Sequence, residues 1–110
     1  IEYFGIWSKG RLLAASSCEI DRENLNVEMT DFASLPECRG RGFAGVLLDV
    51  MEAEMKKEGF ITSYTIARAA FAPINRLFAR FGYVYCGTLK NNTNICGTFE
   101  SMNVWYKKIN

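Results

Sequence analysis

The sequence of 110 residues contains no histidine, and its four cysteines never stand at CxxC spacing. Without histidine, the chain cannot supply a Ser-His-Asp or Cys-His catalytic pair. The cysteines, Cys18, Cys38, Cys86 and Cys96, are too widely spaced for a structural zinc site. We therefore expect reduced thiols that pack in the fold, and no bound metal.

The sequence also lacks an apolar run near the ~20 residues that cross a bilayer, and it shows no signal peptide. Thirteen Lys and Arg against twelve Asp and Glu leave a net charge of +1, which argues against nucleic-acid binding by bulk charge. The length and the 49% hydrophobic content are typical of one globular domain, 1–110. We expect a cytoplasmic protein with no membrane or nucleic-acid partner. Because Ile1 already lies in a strand-like run, we expect an N-terminally truncated fragment.

Local patterns predict the element order β-β-β-α-β-α-β-β. Strands are expected over 1–20 (a hairpin), about 26–34, 60–67, 83–89 and 99–109, with a polar loop at 91–94. Apolar residues at helical spacing predict one helix over 44–57 and a second from Pro73 to Gly82. The unit 26–67 is long enough for a right-handed parallel crossover. The fold class is therefore α/β (α+β), a mixed, mostly antiparallel sheet with a central parallel strand-helix-strand crossover.

The segment 35–44, between the third strand and the first helix, carries the clearest chemical signal. No Ser, Thr, Asp or Asn stands where a helix cap is needed, so several backbone N–H groups would stay unpaired. Gly40 and Gly42 leave room for a close ligand, and Arg39 and Arg41 add positive charge. These features favour an anion site suited to a pyrophosphate. An exposed basic turn, or an RGG-like nucleic-acid contact, is the alternative.

The run Arg39-Gly40-Arg41-Gly42-Phe43-Ala44 resembles the R/Q-x-x-G-x-G/A signature of the GNAT acetyltransferases, and 77–83 resembles a second motif of that family. The resemblance implies that this loop, Phe43 and Ala44 included, binds the pyrophosphate of acetyl-CoA. It also implies that backbone groups near Ser34 and Leu35 contact the pantetheine and the thioester. Compared with the family, the chain would lack the first strand and the first two helices.

Four further segments look like the β-lysine N-acetyltransferases, which acetylate the distal amine of β-lysine to give the compatible solute Nε-acetyl-β-lysine. They are residues 28–33, 64–69, 89–93 and 100–107. The resemblance implies an acetyl-CoA-dependent N-acetyltransferase that acts on a small-molecule amine.

Glu28 is the candidate general base, since several family members carry a catalytic glutamate six residues before the position of Ser34. Strand alternation would place Glu28, Thr30, Phe32 and Ser34 on one face and Asp31 on the other. A carboxylate among apolar strand residues should have a raised pKa, which suits a base. Alternatively, Glu28 pairs with a cation and moves no proton.

The chain departs from the family at Phe78, where a tyrosine often serves as general acid. The available tyrosines are Tyr64, Tyr83 and Tyr85; otherwise the thiolate leaves unaided and is protonated by water. The asparagine that often stands seven residues earlier is also missing, and Asn75 is a candidate to replace it in binding the cofactor.

Arg68 could fork onto a substrate carboxylate, and Tyr64, Asn92 and Glu100 are further candidates for substrate binding. Two other functions remain open: a non-catalytic CoA-binding or regulatory domain, and a nucleic-acid-binding module that uses residues 39–42. Edge strands left exposed could also pair in a homodimer.

Overall fold

The computed structural model describes the backbone of residues 1–95 and 98–110 and the side chains of residues 1–90 and 99–110. The elements are strands β1 Glu2–Ser8, β2 Arg11–Asp21 and β3 Asn26–Ser34, a short 3-10 turn Pro36–Cys38, helix α1 Phe43–Lys57, strand β4 Thr62–Arg68, helix α2 Ala72–Arg80, and strands β5 Val84–Ile95 and β6 Thr98–Lys108. This confirms the predicted order, and apart from β5 the predicted bounds differ by only one or two residues.

The six strands form one sheet in the order β1-β2-β3-β4-β6-β5. Neighbouring strands are antiparallel except β3 and β4, which are parallel and are connected through α1. The predicted fold class, a mixed sheet with one central parallel crossover, is confirmed. The carboxyl ends of β3 and β4 and the start of α1 consequently lie at the same edge of the sheet.

The prediction of a polar loop at 91–94 is wrong, because β5 continues through this segment to Ile95. The strand pairs with β6 beyond Leu89, and a register shift between Leu89 and Thr93 takes up two extra residues. Backbone pairing with a long neighbouring strand therefore overrides the low strand propensity of consecutive asparagines.

Both helices pack on one face of the sheet. The helix α1 buries Leu47, Leu48, Met51 and Met55, and α2 buries Leu77 and Phe78. They form one core with residues of β2 and β3 that alternate along each strand, namely Ala14, Cys18, Val27 and Met29. Burying four α1 side chains removes enough apolar surface to stabilise the fold by about 1.5–3 kcal/mol for each side chain.

The opposite face of the sheet carries no helix in the described part of the chain, and large side chains are exposed there. Tyr3 on β1 and Tyr106 on β6 are examples. Glu28 and Tyr64, which are register partners, lie on this face because Val27, Met29, Ser63 and Thr65 point into the core. Neither of the two described helices has the length and apolar character needed to cross a membrane.

Candidate active site

The parallel pairing of β3 with β4 stops after Glu28 and Tyr64, although both strands continue. One hydrogen bond spans the strands just beyond this point, from Thr65 Oγ1 to the carbonyl oxygen of Met29, at 2.9 Å. The strands diverge from there and leave a cavity of about 310 Å³, which we call the β3–β4 cleft. Its lining residues are Glu28, Met29, Thr30, Asp31, Phe32, Thr65, Ile66, Ala67, Arg68, Phe71 and Ile74.

A β-bulge at Asp31 changes the direction of the β3 side chains beside this cleft. Asp31 has a φ of +51°, and the register against β2 shifts at this point. Phe32 and Ser34 therefore turn to the helix face: Phe32 meets the ring of Phe78 at 5.9 Å, and Ser34 pairs with the buried Ala14. The prediction that Phe32 and Ser34 share a face with Glu28 and Thr30 is wrong, since a bulge interrupts the two-residue alternation. The prediction that Asp31 lies on the other face is also wrong, because its carboxylate accepts a hydrogen bond from Ser17 Oγ, on the Glu28 face, at 3.3 Å.

The loop before α1 has the backbone geometry expected of an anion site. Gly40 and Gly42 have φ values of +82° and +77°, which disfavour other residues, and a Cβ at either would meet no atom within 4 Å. Gly42 is the N-cap of α1 and provides no side-chain cap. Within the described residues, the backbone N–H groups of residues 42–45 donate no hydrogen bond. Several backbone donors without a partner therefore lie at the positive end of the helix dipole.

The positive charge at this loop is available to a ligand. Arg39 and Arg41 are exposed, and neither forms an ion pair within the described part of the chain. The first turn of α1 carries no acidic side chain. Two guanidinium groups and free amides are the donors that a pyrophosphate requires.

The other residues predicted to bind the cofactor lie on both sides of this loop. The Leu35 N–H donates to the carbonyl oxygen of Leu13 at 2.9 Å, which fixes the end of β3 to β2. Phe43 and Ala44 are partly buried against the core. Their side chains anchor the first turn of α1, while their N–H groups donate no hydrogen bond within the described residues.

Glu28 is partly buried at the edge of the β3–β4 cleft. Burial raises the pKa of its carboxyl above the ordinary value, and the negative charges of Glu19 and Asp31 raise it further. The nearby Tyr64 hydroxyl, a hydrogen-bond donor, opposes this rise in pKa. Burial, followed by the Glu28 charge, also raises the pKa of Tyr64, so the phenol remains the proton donor in this pair.

Glu19 is a contributor that the sequence reasoning missed. It lies directly opposite Glu28 in the β2–β3 ladder. The predicted turn at 21–24 would place Glu19 opposite Asn26. The observed turn lies one residue later, because Asp21 pairs with Asn26, and this shift brings Glu19 opposite Glu28. Two carboxylates side by side give this part of the sheet a negative potential, which favours an ammonium group.

Arg68 and Glu100, both predicted to bind substrate, pair with each other. The guanidinium donates from Nε and Nη2 to the two carboxylate oxygens of Glu100, at 2.5 and 2.8 Å. This contact holds the pKa of the Glu100 carboxyl below its usual range. Asn92 belongs to β5, and its side chain lies outside the described residues.

Asn75 lies at the start of α2, and the protein itself occupies its amide. Its Nδ2 donates to the carbonyl oxygens of Arg68 and Phe71, both at 2.9 Å. Its Oδ1 accepts from Asn103 Nδ2 at 3.0 Å and from Trp105 Nε1 at 2.9 Å. The side chain thus joins the end of β4 to α2 and β6; its contact with the cofactor stays a prediction.

The aromatic ring of Phe78 is fully buried between Phe32 and Tyr83. Tyr83 is also buried, and its hydroxyl pairs with Ser63 Oγ at 2.6 Å, while burial strongly raises its pKa. Tyr85 is exposed and its hydroxyl pairs with Thr88. Of the three tyrosines considered as acids, Tyr64 alone belongs to β4, the strand that borders the cleft.

Two curated relatives match nearly the whole chain. The Beta-lysine N(6)-acetyltransferase of Methanococcus maripaludis is 51% identical over 97% of this chain and 39% of its own length. That of Methanosarcina mazei is 36% identical over 97% of this chain and 40% of its own length. The chain therefore spans about two fifths of the length of these relatives.

The fold itself is shared with solved acetyltransferase structures. The ribosomal L7/L12 alpha-N-protein acetyltransferase in complex with coenzyme A superposes with a TM-score of 0.89, at 15% identity, over 97% of this chain and 61% of that chain. The model of the acetyltransferase (GNAT) family matches residues 2–83, which include β3, the glycine loop and α1. Together with the open amides of that loop, this match shows that the chain belongs to the GNAT acetyltransferase family.

Proposed function

We propose that this chain is the acetyl-CoA-binding part of an N-acetyltransferase that acetylates the distal amine of β-lysine. The product would be Nε-acetyl-β-lysine, made in the cytoplasm as a compatible solute. The observation that carries the proposal is the adjacency of two features: uncapped backbone donors at the start of α1, and a cleft with a partly buried carboxylate, Glu28.

Acetyl-CoA is the co-substrate, and the residues present suit it. Its pyrophosphate would accept hydrogen bonds from the free N–H groups of residues 42–45, with Arg39 and Arg41 neutralising the charge. The pantetheine would then follow the end of β3 near Ser34 and Leu35 into the cleft. There the β3 backbone has no β4 partner, and so has groups available to the ligand.

Transfer of the acetyl group requires a neutral amine. An alkyl ammonium has a pKa near 10.4, so almost none of it is nucleophilic at neutral pH. Glu28 would accept the proton, directly or through water, and the nitrogen lone pair would then attack the thioester carbonyl carbon. The new C–N bond forms, the C–S bond breaks, and the electron pair leaves with sulfur as the CoA thiolate. The second proton of the attacking nitrogen passes to water, which leaves a neutral amide. General-base assistance of this kind contributes on the order of 10²–10⁴-fold to the rate.

Phe78 stands where the family often has a tyrosine acid, and its buried phenyl ring carries no proton to donate to the thiolate. We propose that water protonates the thiolate. A thiol has a pKa near 8.5, which makes the thiolate a stable leaving group without prior protonation.

Support for β-lysine as the substrate comes from the names of the two relatives and from charges along β4. The acidic pair Glu19 and Glu28 suits an ammonium, and Arg68 farther along the strand suits a carboxylate. Tyr64, Asn92 and Glu100 complete the proposed substrate set.

The test uses two reactions of the full chain, one with acetyl-CoA and β-lysine and the other with acetyl-CoA and α-lysine. The products of both are analysed by tandem mass spectrometry. We expect one acetyl group on the distal nitrogen of β-lysine. Acetyl-CoA binding without any acetylated amine would instead support a non-catalytic CoA-binding domain, which the buried Phe78 favours as the second candidate.

A further inference from the structure

The Arg68–Glu100 pair lies where the β3–β4 cleft meets the open face of the sheet. Arg68 lines the cleft, and its side chain is 50% exposed while that of Glu100 is 18% exposed. Both side chains lie on the face that carries Glu28 and Tyr64, since Arg68 pairs with Met102 two residues from Glu100. The two opposite charges therefore border the proposed substrate site as one unit.

We infer that Arg68 and Glu100 together bind the zwitterionic end of the substrate by exchanging partners. Arg68 takes the substrate carboxylate, and Glu100 takes the neighbouring ammonium. This inference rests on the proposed function and assigns the residues that select a diamino acid over a simple amine.

The reason is that an ion pair is complementary to a zwitterion. A ligand with both charges can enter beside the pair so that each of the four charges keeps an opposite neighbour. A ligand with one charge must separate the pair and leave one protein charge without its partner, which costs affinity. The forked geometry of Arg68 on Glu100 shows that the guanidinium is already oriented for a carboxylate.

The spacing along β4 fits a six-carbon chain. Tyr64 and Arg68 are four residues apart, so their Cα atoms are about 13 Å apart. Extended β-lysine spans about 7 Å from its distal nitrogen to its carboxylate carbon. The side chains of Glu28, opposite Tyr64, and of Arg68 can cover the remainder. A distal amine at Glu28 therefore brings the other end of the ligand to the Arg68–Glu100 pair.

The simpler role for the pair is to hold β4 to β6. A purely structural role would change the binding of every ligand in the same direction. Partner exchange predicts that removing one member of the pair weakens the binding of β-lysine. The same change should strengthen the binding of the ligand that lacks the group which that member would contact, and this difference makes the inference testable.

The experiment is isothermal titration of the CoA-saturated full chain, with free CoA so that no acetyl transfer occurs. The ligands are β-lysine, 6-aminohexanoic acid, which lacks the second amine, and 1,4-diaminopentane, which lacks the carboxylate. Glu100→Gln should weaken β-lysine binding about 10-fold or more and strengthen the binding of 6-aminohexanoic acid, because the Glu100 carboxylate no longer competes with the ligand carboxylate for Arg68. Arg68→Gln should weaken β-lysine similarly and strengthen 1,4-diaminopentane.

Glu58→Gln is the matched control, since Glu58 forms an exposed ion pair with Arg22 at 3.3 Å, outside the residues that line the cleft. It should leave all three dissociation constants unchanged. If Glu100→Gln proves unstable, Glu100→Asp is the second variant. It keeps the charge and should therefore retain most of the β-lysine affinity. Equal changes for all three ligands, no change, or no binding of β-lysine to the unmodified chain would overturn the inference. Failure of the proposed function is detected separately, as the absence of acetylated product with acetyl-CoA.

Discussion

Glu28 shows how neighbouring residues change the acidity of a common side chain. The carboxylate is partly buried, faces Glu19 across the β2–β3 ladder and is the register partner of Tyr64 on β4. Burial and the Glu19 charge favour the protonated form, so the pKa of Glu28 lies above its ordinary value. A raised pKa brings a carboxylate closer to the strength that a general base needs at neutral pH.

We expect Glu28→Gln to lower kcat by about 10²-fold or more at pH 7, with a much smaller loss at high pH, where free amine is abundant. The folded-state pKa of Glu28 is raised, so the native state holds its proton more tightly than the unfolded chain does. The group therefore destabilises the fold as pH rises through that window. Removing the charge should leave the melting temperature at pH 7 unchanged or higher, while the rate falls.

Glu19→Gln is the companion variant, because it keeps the Glu28 carboxyl and removes one cause of its raised pKa. The acid limb of the pH–kcat profile should move to lower pH in this variant and be absent in Glu28→Gln. If Glu28→Gln has full activity at pH 7, Glu28 is not the base.

At the scale of elements, the main feature of α1 is that its first turn has no side-chain cap. Helices usually satisfy their first N–H groups with a Ser, Thr, Asp or Asn cap. Here Gly42 occupies the cap position with a φ of +77°, and the donors remain open. The helix thus gives up some of its own stability and keeps backbone N–H donors that an anion can use.

We expect saturating acetyl-CoA to stabilise the full chain, by about 2.7 kcal/mol at 100 times its Kd. Gly42→Asp should abolish this stabilisation, because a carboxylate would stand among the donors and compete with the phosphates. Aspartate tolerates a positive φ, so the fold without ligand should persist. Thermal melts with and without acetyl-CoA measure both effects.

Gly42→Asn is the matched control, since it has nearly the same size and also tolerates a positive φ, but carries no charge. It should retain part of the shift in melting temperature. An undiminished shift in Gly42→Asp would mean that the pyrophosphate binds elsewhere.

The whole described molecule consists of one sheet with both helices on the same side. All core packing therefore lies between the sheet and α1 and α2, while the opposite face offers Glu28, Tyr64 and Arg68 to a ligand. The β3–β4 cleft is lined by Arg68 of the open face and by Phe71 and Ile74 of the helix side. Under the proposed function, the acetyl donor and the amine would meet in this cleft.

This one-sided packing predicts unequal responses within α1. Leu48 is fully buried, and Leu48→Ala should lower the free energy of unfolding by about 2–5 kcal/mol through the lost transfer energy and the cavity left behind. Val50, two residues away, is 51% exposed. Val50→Ala should therefore change the free energy of unfolding by no more than about 0.5 kcal/mol. Chemical denaturation measures both; similar losses would mean that α1 is covered on its outer side as well.

The sequence by itself determined the order of the elements, the apolar stripe of α1 and the glycines before it. These features depend on local rules: helical periodicity, capping and the allowed φ of glycine, all readable within about 15 residues. It also indicated Glu28, Arg68 and Glu100 as separate candidates.

Only the tertiary structure decided how those candidates meet. The bulge at Asp31, the turn of Phe32 toward Phe78 and the fork between Arg68 and Glu100 all depend on the pairing of segments distant in sequence. The same holds for the continuation of β5 through 91–95, which β6 imposes. Register between distant strands follows from the packing of the whole sheet, and no local pattern in the chain encodes it.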